Sequence, residues 1–388
     1  MRQPFPAKAF DQVILGCVNV IADEMNPARI AALRLGMGDQ MPAFTVQINC
    51  GSGMQSIDTA FRYIQNGTAN LILAGGTDSL SHSPLVFRQG AVEQFASVNA
   101  AKGTWSKLRA ATGFRPRHFA PVIGLERGLT DPIVELNMGQ TAEILAHQFA
   151  ISRKAADTYA AESHKRLARA QEEGRLIDEV SPAVSRDGEA YDHDDGVRPD
   201  SAADKLATLK PAFERPWGKV TPGNSSQITD GASWVILASE EAVKAHRLEP
   251  MAVIIDSEWS ALDPSVMGLG PVLCATEIVK RRKLDRGDID VWELNEAFAA
   301  QVLACLAAWE DEAFCKEVLG LDGAFGAIDR ERFNVDGGAI ALGHPVGASG
   351  NRITLHLATA MRRLGLKRGI ATECIGGGQG GAMLLEAA

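Results

Sequence analysis

The hydrophobic period of this chain changes abruptly at Cys50, and no other local feature constrains its fold so strongly. Pro42–Asn49 (PAFTVQIN) reads as a β-strand ending at the cysteine. From Gly51 onward Met54, Ile57, Phe61 and Ile64 recur at helical spacing, and Asn66-Gly67 supplies a C-terminal stop. Asn70–Ala74 (NLILA) is then a buried strand. Strand, tight turn, helix and strand in direct succession predict an α/β protein.

The last third follows the same plan. AVIIDSEWSA from Ala252 is a strand, Gly270–Arg282 a helix, and Ile289–Leu294 a strand that runs into Asn295 and the helix-like EAFAAQVLACLAAW. Val335–Ala341 and a Gly-His-Pro turn lead to a helix over Ser349–Leu364, a strand Arg368–Cys374, a glycine turn and a strand Gly381–Glu386. Phe10–Val18 and Ser233–Ser239 add strands to the first half, and Glu240–His246 a helix. Between the halves, helices such as Met138–Phe149 and Arg153–Glu173 are joined by long polar stretches. The predicted partition is an N-terminal half over 1–79 and 229–250, a loop domain over 80–228, and a C-terminal half over 251–388.

Composition narrows the function classes. A net charge of −9 argues against a general nucleic-acid binder. No run approaches the roughly 18 apolar residues of a membrane span. MRQPFPAKAF has no apolar h-region, and LLEAA carries no peroxisomal tripeptide. The cysteines Cys17, Cys50, Cys274, Cys305, Cys315 and Cys374 include no CxxC pair, which speaks for free thiols in a cytoplasmic protein rather than disulfides or structural zinc. The run DHDD at 192–195 reads as a solvated loop, so no metal site is expected.

Four positions could carry chemistry. Cys50, in NCGSGMQS, stands between a strand and a helix, where the positive helix end would lower its pKa and favour thiolate. The same setting suits a buried structural cysteine. His344, in ALGHPVGASG, sits in a turn set by Pro345, Gly343 and Gly347, though a lone histidine is commonly structural. Cys374 ends a strand before a glycine cluster, ECIGGGQGG, which no amphipathic helix follows, so it is not a dinucleotide fingerprint. Asn295, in ELNEAFAA, sits at a strand-to-helix switch and would serve as a plain N-cap.

Taken together, NCGSGMQ, NEAFA, GHPVGASG and CIGGGQG occur in the order and approximate spacing of the thiolases, and AGGTDSLS, MGQTAE and TPGNSSQITDGA match that family too. The chain resembles the thiolases over essentially its whole length, most closely the fatty-acid-oxidation β-subunit type. The resemblance implies a thiolase fold: two related βαβ halves in α-β-α-β-α layers with an inserted loop domain. It implies thiolysis of 3-ketoacyl-CoA to acetyl-CoA and a shortened acyl-CoA, or the reverse Claisen condensation. Cys50 would be the acylated nucleophile, His344 the acceptor of its proton, and Cys374 the shuttle at the α-carbon. His344 and a water held by Asn295 would serve the enolate oxygen, and the backbone N–H groups of Cys50 and Gly376 the tetrahedral intermediate. Met138 would line the acyl pocket and Ser226 contact the pantetheine arm. Asn137 stands where many short-chain biosynthetic members carry His, and Gln227 where many carry a small residue. Coenzyme A would be a substrate, with no permanently bound cofactor.

The family also implies a homodimer or homotetramer and, for this type, an α-subunit of a fatty-acid-oxidation complex. The stretch Lys102–Arg117 holds Lys102, Lys107, Arg109, Arg115 and Arg117 with no acid between residues 100 and 125. It would meet a partner subunit, an anionic membrane surface or the CoA phosphates. Two alternatives stand beside the thiolase reading. A decarboxylating ketoacyl synthase would pair one cysteine with two histidines or with His and Asn, and Cys374 speaks against it. A non-catalytic acyl-CoA or lipid carrier on the same fold would not need all four reactive positions. In thiolases the nucleophile usually lies further along the chain. The first half is therefore expected to lack its first strand, a central one, leaving unpaired backbone groups in its core, so either the native protein starts upstream of Met1 or this form is unstable and poorly active.

Overall fold

The computed structural model of the chain describes residues 3–185 and 187–388. The first half contributes β1 (Gln12–Gly16), β2 (Ala43–Val46), the helix α1 (Ser52–Gln65) and β3 (Leu71–Ser79). The chain then makes a helical excursion through α2 (Gln89–Ala100), α3 (Thr104–Ala111), α4 (Met138–Gln148) and α5 (Arg153–Glu172), and returns as β4 (Asp230–Ala238). The second half runs through β5 (Ala252–Ala261), α6 (Gly270–Arg281), β6 (Val291–Leu294), α7 (Ala299–Glu310), α8 (Val346–Leu364), β7 (Arg368–Ile375) and β8 (Gln379–Ala387).

Two four-stranded sheets result. The first has the order β2-β1-β3-β4, with β1 parallel to β2 and β3, and β4 antiparallel to β3. The second has the order β6-β7-β8-β5, with β6 parallel to β7 and the other neighbours antiparallel. Alternation along the strands decides the layering. Val13 and Leu71 face an outer cluster with Phe10, Met37 and Met41. Their neighbours Ile14 and Ile72 face inward, against Met54 and Ile57 of α1 and Ile353 and Leu357 of α8. From the second sheet Val291, Ala371 and Met383 reach into that same central cluster. Trp292, Ile370 and Leu384 instead face an outer cluster with α6 and α7. The sheets sandwich α1 and α8, and further helices cover their outer faces, so the expected α-β-α-β-α layering is present.

Within the central layer α1 and α8 meet backbone to backbone. A Cβ on Gly53 would lie 2.7 Å from Asn351 N and 2.9 Å from Gly347 O, and one on Gly350 would lie 2.7 Å from Met54 N. Asp78, at the end of β3, locks the crossing. Its carboxylate accepts N–H groups from Val18 at 3.0 Å and Asn19 at 2.7 Å, both just past β1, and a third from Gly347 at the start of α8.

The anticipated gap in the first sheet is absent. β1 pairs directly with β3, Gln12–Gly16 against Ile72–Gly76, so no backbone group is stranded in the interior there. The strand that opens the second half, β5, lies at a sheet edge beside β8. In the first sheet the corresponding edge is formed by β4. A cavity of about 320 Å³ follows that edge of β4, lined by Asp194, Asp230, Trp234, Ser349, Arg352 and His356 among others. Elsewhere β3 runs on to Ser79, because its glycines continue the ladder with β4. The segment 89–111, for which no element was expected, folds as the hairpin of α2 and α3.

Exchanging Gly53 for alanine should distinguish propensity from packing. Intrinsic propensity would favour alanine by about 1 kcal/mol. Here the methyl group meets backbone, which cannot rotate away, and overpacking typically costs about 1–3 kcal/mol or more. Gly53→Ala is expected to be net destabilising in urea unfolding; a variant as stable as the parent would contradict the close crossing.

Candidate active site

The crossing of α1 and α8 brings two helix starts together. Cys50 immediately precedes Gly51, the N-cap of α1, and His344 immediately precedes Pro345, the N-cap of α8. Gly343 turns the chain into His344 with φ 103°, and a Cβ there would also overlap Thr229. The third element is the end of β7, where Cys374 and Ile375 lead into a turn with Gly377 at φ 93° and Gly378 at φ 77°. Asn49 ties the first and third elements: its Nδ2 donates to the Gly376 carbonyl at 2.7 Å.

Around the sulfur of Cys50 the backbone N–H groups of Gly376 and of Cys50 itself converge. They do not produce a resting thiolate. Burial pushes the Cys50 thiol up to about 11, those N–H groups pull against it, and the carboxyls of Glu373 and Asp78 raise it further. The expectation of a thiolate at the helix start is overturned, since a helix end typically contributes about 0.3–1 kcal/mol, less than one pKa unit. His344 is pushed down to about 4, by burial first and the nearby Arg352 guanidinium second. At neutral pH the pair is thus a thiol and a neutral imidazole. Burial also raises Cys374 well above the usual thiol range, with Cys50, Cys305 and Glu373 adding to it.

The imidazole is oriented by Ser349, whose Oγ lies 2.6 Å from His344 Nδ1 and donates to the Pro345 carbonyl at 3.1 Å. With the hydroxyl proton on that carbonyl, Oγ accepts from Nδ1–H, and Nε2 keeps its lone pair. That Nε2 is buried and has no partner, and so is Nδ2 of Asn295. Asn295 is fully buried and is not a helix cap, because α7 starts at Ala299 with Phe298 in the cap position. Its neighbour Glu296 pins the turn, accepting from Tyr159 Oη at 2.7 Å, Ser163 Oγ at 2.6 Å and Asn334 Nδ2 at 3.1 Å.

Met138, at the start of α4, packs with Cys374, Met267, Ala297 and Phe298, and its sulfur would lie 3.3 Å from a Cβ on Gly376. Ser226 stands beside the Asn295 turn, its N–H donating to the Ala297 carbonyl at 3.0 Å, while Gln227 accepts the His344 N–H at 2.9 Å. The fold thus gathers Cys50, Cys374, Gly376 and Met138 in one group, while His344 and Asn295 share Arg352, and Ser226 flanks the Asn295 turn. Asn137 has a local role, as the N-cap of α4 in a capping box with Gln140. Sequence reasoning missed Asn49, Ser349, Arg352 and the buried Glu373. Ser349 and Arg352 were detectable as residues one helical turn apart after the Gly-His-Pro turn. Among the described residues no cluster of three or more metal-ligating side chains occurs, and no helix is long and apolar enough to cross a membrane.

Known proteins share this chain's sequence and fold. Residues 1–241 match the family model described as thiolase, N-terminal domain, and residues 248–387 the one described as thiolase, C-terminal domain. A probable acetyl-CoA acyltransferase of Staphylococcus aureus (strain COL) is 39% identical over 382 residues, 95% of this chain and 85% of that protein. The mitochondrial trifunctional enzyme subunit beta of Bos taurus is 36% identical over 387 residues, 100% of this chain and 80% of that protein. The crystal structure of human mitochondrial 3-ketoacyl-CoA thiolase in complex with CoA superposes with a TM-score of 0.81 at 37% identity, covering 100% of this chain and 91% of that one.

The protonation state predicts a reactivity profile. With the Cys50 thiol near 11 and His344 near 4, the free enzyme gains thiolate as pH rises. Alkylation of Cys50 by iodoacetamide, followed by mass spectrometry, should accelerate about tenfold per pH unit between 7 and 9. A rate already flat across that range would mean a preformed thiolate–imidazolium pair.

Proposed function

The chain belongs to the thiolase family and is an acyltransferase acting on acyl-CoA thioesters, and we propose that it works through an S-acyl intermediate on Cys50. In the thiolytic direction Cys50 Sγ attacks the 3-keto carbon of the substrate, and its proton passes to Nε2 of His344. The C2–C3 bond then breaks, its electron pair moves into the enolate of acetyl-CoA, and Cys374 delivers a proton to C2. Coenzyme A enters, gives its thiol proton to the Cys374 thiolate and attacks the acyl carbon. Cys50 leaves and recovers its proton from His344, so both thiols and the imidazole return to their starting states. The Claisen condensation runs the same steps backwards.

The observation that carries this reading is the pair of buried, unpartnered nitrogens, His344 Nε2 and Asn295 Nδ2, at the ends of the elements next to those that carry the two thiols. Idle buried polar atoms cost stability; Asn295 Nδ2 would hold a water, and His344 Nε2, once it has taken the Cys50 proton, would join that water as donor to the enolate oxygen. The N–H groups of Cys50 and Gly376 would hold the tetrahedral intermediate. Met138 would border the acyl chain, Ser226 would meet the pantetheine arm, and CoA is a substrate rather than a resident cofactor.

The roles of the thiols separate cleanly by experiment. Cys50→Ala should abolish both acylation by acetyl-CoA and thiolysis, which also tests the carrier alternative. Cys374→Ala should still become acylated while condensation is lost and thiolysis falls steeply. Near-parental condensation by Cys374→Ala would refute its assignment as the α-carbon acid and base.

The partition into 1–79 with 229–250, 80–228, and 251–388 is part of the same proposal, as is a homodimeric or homotetrameric state. Within the middle segment the α2–α3 hairpin exposes Phe95, Trp105 and Leu108. Among the described residues Lys102, Lys107, Arg109, Arg115 and Arg117 form no ion pair with this chain's own carboxylates. An apolar, basic hairpin of this kind suits a partner subunit or an anionic membrane surface. Charge reversal at Lys107, Arg109 and Arg115 should weaken that association in a salt-dependent way and spare turnover of short substrates. Loss of short-substrate turnover with association intact would instead assign these residues to the CoA phosphates.

A further inference from the structure

Asn295 can act only if its amide is turned the right way round, and α8 supplies a group that decides this. Glu293 and Asn295 stand two residues apart at the end of β6, so both side chains point from the same face of the strand, toward α8. Arg352 reaches both. One guanidinium nitrogen lies 3.2 Å from Glu293 Oε1, and the other 3.5 Å from Asn295 Oδ1. A guanidinium has donors and no acceptor. The amide must therefore present its oxygen to Arg352, which leaves Nδ2 turned away from the guanidinium, buried and unpartnered. Ser349, which orients His344, lies three residues before Arg352 and hence on the same face of α8.

We propose that Arg352 is a positioning residue for the enolate site: it fixes and polarises the Asn295 amide, so that one face of α8 sets both donors, His344 through Ser349 and Asn295 through Arg352. This rests on the reading of His344 and a water held by Asn295 as the enolate donors. Glu293 holds the guanidinium in place, buried and pushed up to about 7 chiefly by its own burial.

A double-mutant cycle tests the proposal, with thiolysis of acetoacetyl-CoA by CoA as the readout. Asn295→Ala should lower kcat by about 10²–10³-fold, as loss of an oxyanion donor typically does. Arg352→Met should lower kcat by about tenfold or more with little change in KM. In the Asn295→Ala background the same exchange should cost several-fold less, what remains being the effect of the guanidinium on His344. Arg352→Lys, which keeps the charge but has a shorter reach in donors, should recover part of the loss. Acylation of Cys50 by acetyl-CoA forms no enolate, so its persistence in Arg352→Met shows an intact fold; if that variant is not acylated, the cycle is run with Arg352→Lys. An equal kcat loss from the Arg352 exchange in both backgrounds would overturn the proposal. A kcat within twofold of the parent for Asn295→Ala would instead overturn the enolate reading beneath it.

Discussion

Everything in this molecule depends on two helices being allowed to touch. Ordinary helix pairs pack with axes about 8–10 Å apart, separated by side chains. At Gly53, Gly347 and Gly350 the backbones themselves are the surfaces in contact. That closeness aligns the starts of α1 and α8, and each start is preceded by one reactive side chain. Asp78 reinforces the arrangement from the first sheet by gathering N–H groups from the end of β1 and the start of α8. The sheets, in turn, are what hold the helices from both sides, so sheet order and active-site geometry are consequences of one another.

The electrostatics of the site follow from its burial. Cys50 is only half-buried, yet loss of water around its sulfur outweighs the helix end and the N–H groups around it. The same burial keeps His344 neutral. A neutral thiol and a neutral base carry no charge until a substrate arrives, and charge then develops where unpartnered polar atoms already wait. Preorganisation of this kind stabilises the transition state without stabilising the resting enzyme.

Much of this was legible in the sequence, for definite reasons. The period change at Cys50 marks a strand-to-helix switch because burial on one helix face demands spacing near 3.6. The glycines around Cys50, His344 and Cys374 are visible as clusters, but which of them face another backbone is a tertiary fact. Asn295 illustrates the boundary. Local rules make an Asn before a helical run a cap, yet Glu296 is bonded to Tyr159, Ser163 and Asn334, and that distant network draws the turn out and delays the helix to Ala299. The protonation of Cys50 was misjudged for the same reason, since burial cannot be read from neighbours in sequence. The expected central gap failed because pairing order, β1 directly on β3, is not encoded in the order of strands along the chain.

The shared central layer has a thermodynamic consequence. Neither half owns a complete core: Ile14, Ile72 and Met54 of one are covered by Ile353, Leu357 and Met383 of the other. Detaching one half would expose an apolar face of its partner and, at the glycine crossing, bare backbone. The two halves therefore form one cooperative unit. Heating should melt them in a single calorimetric transition, and cleavage in the peripheral excursion should leave that transition standing where cleavage between β4 and β5 would not free a folded half.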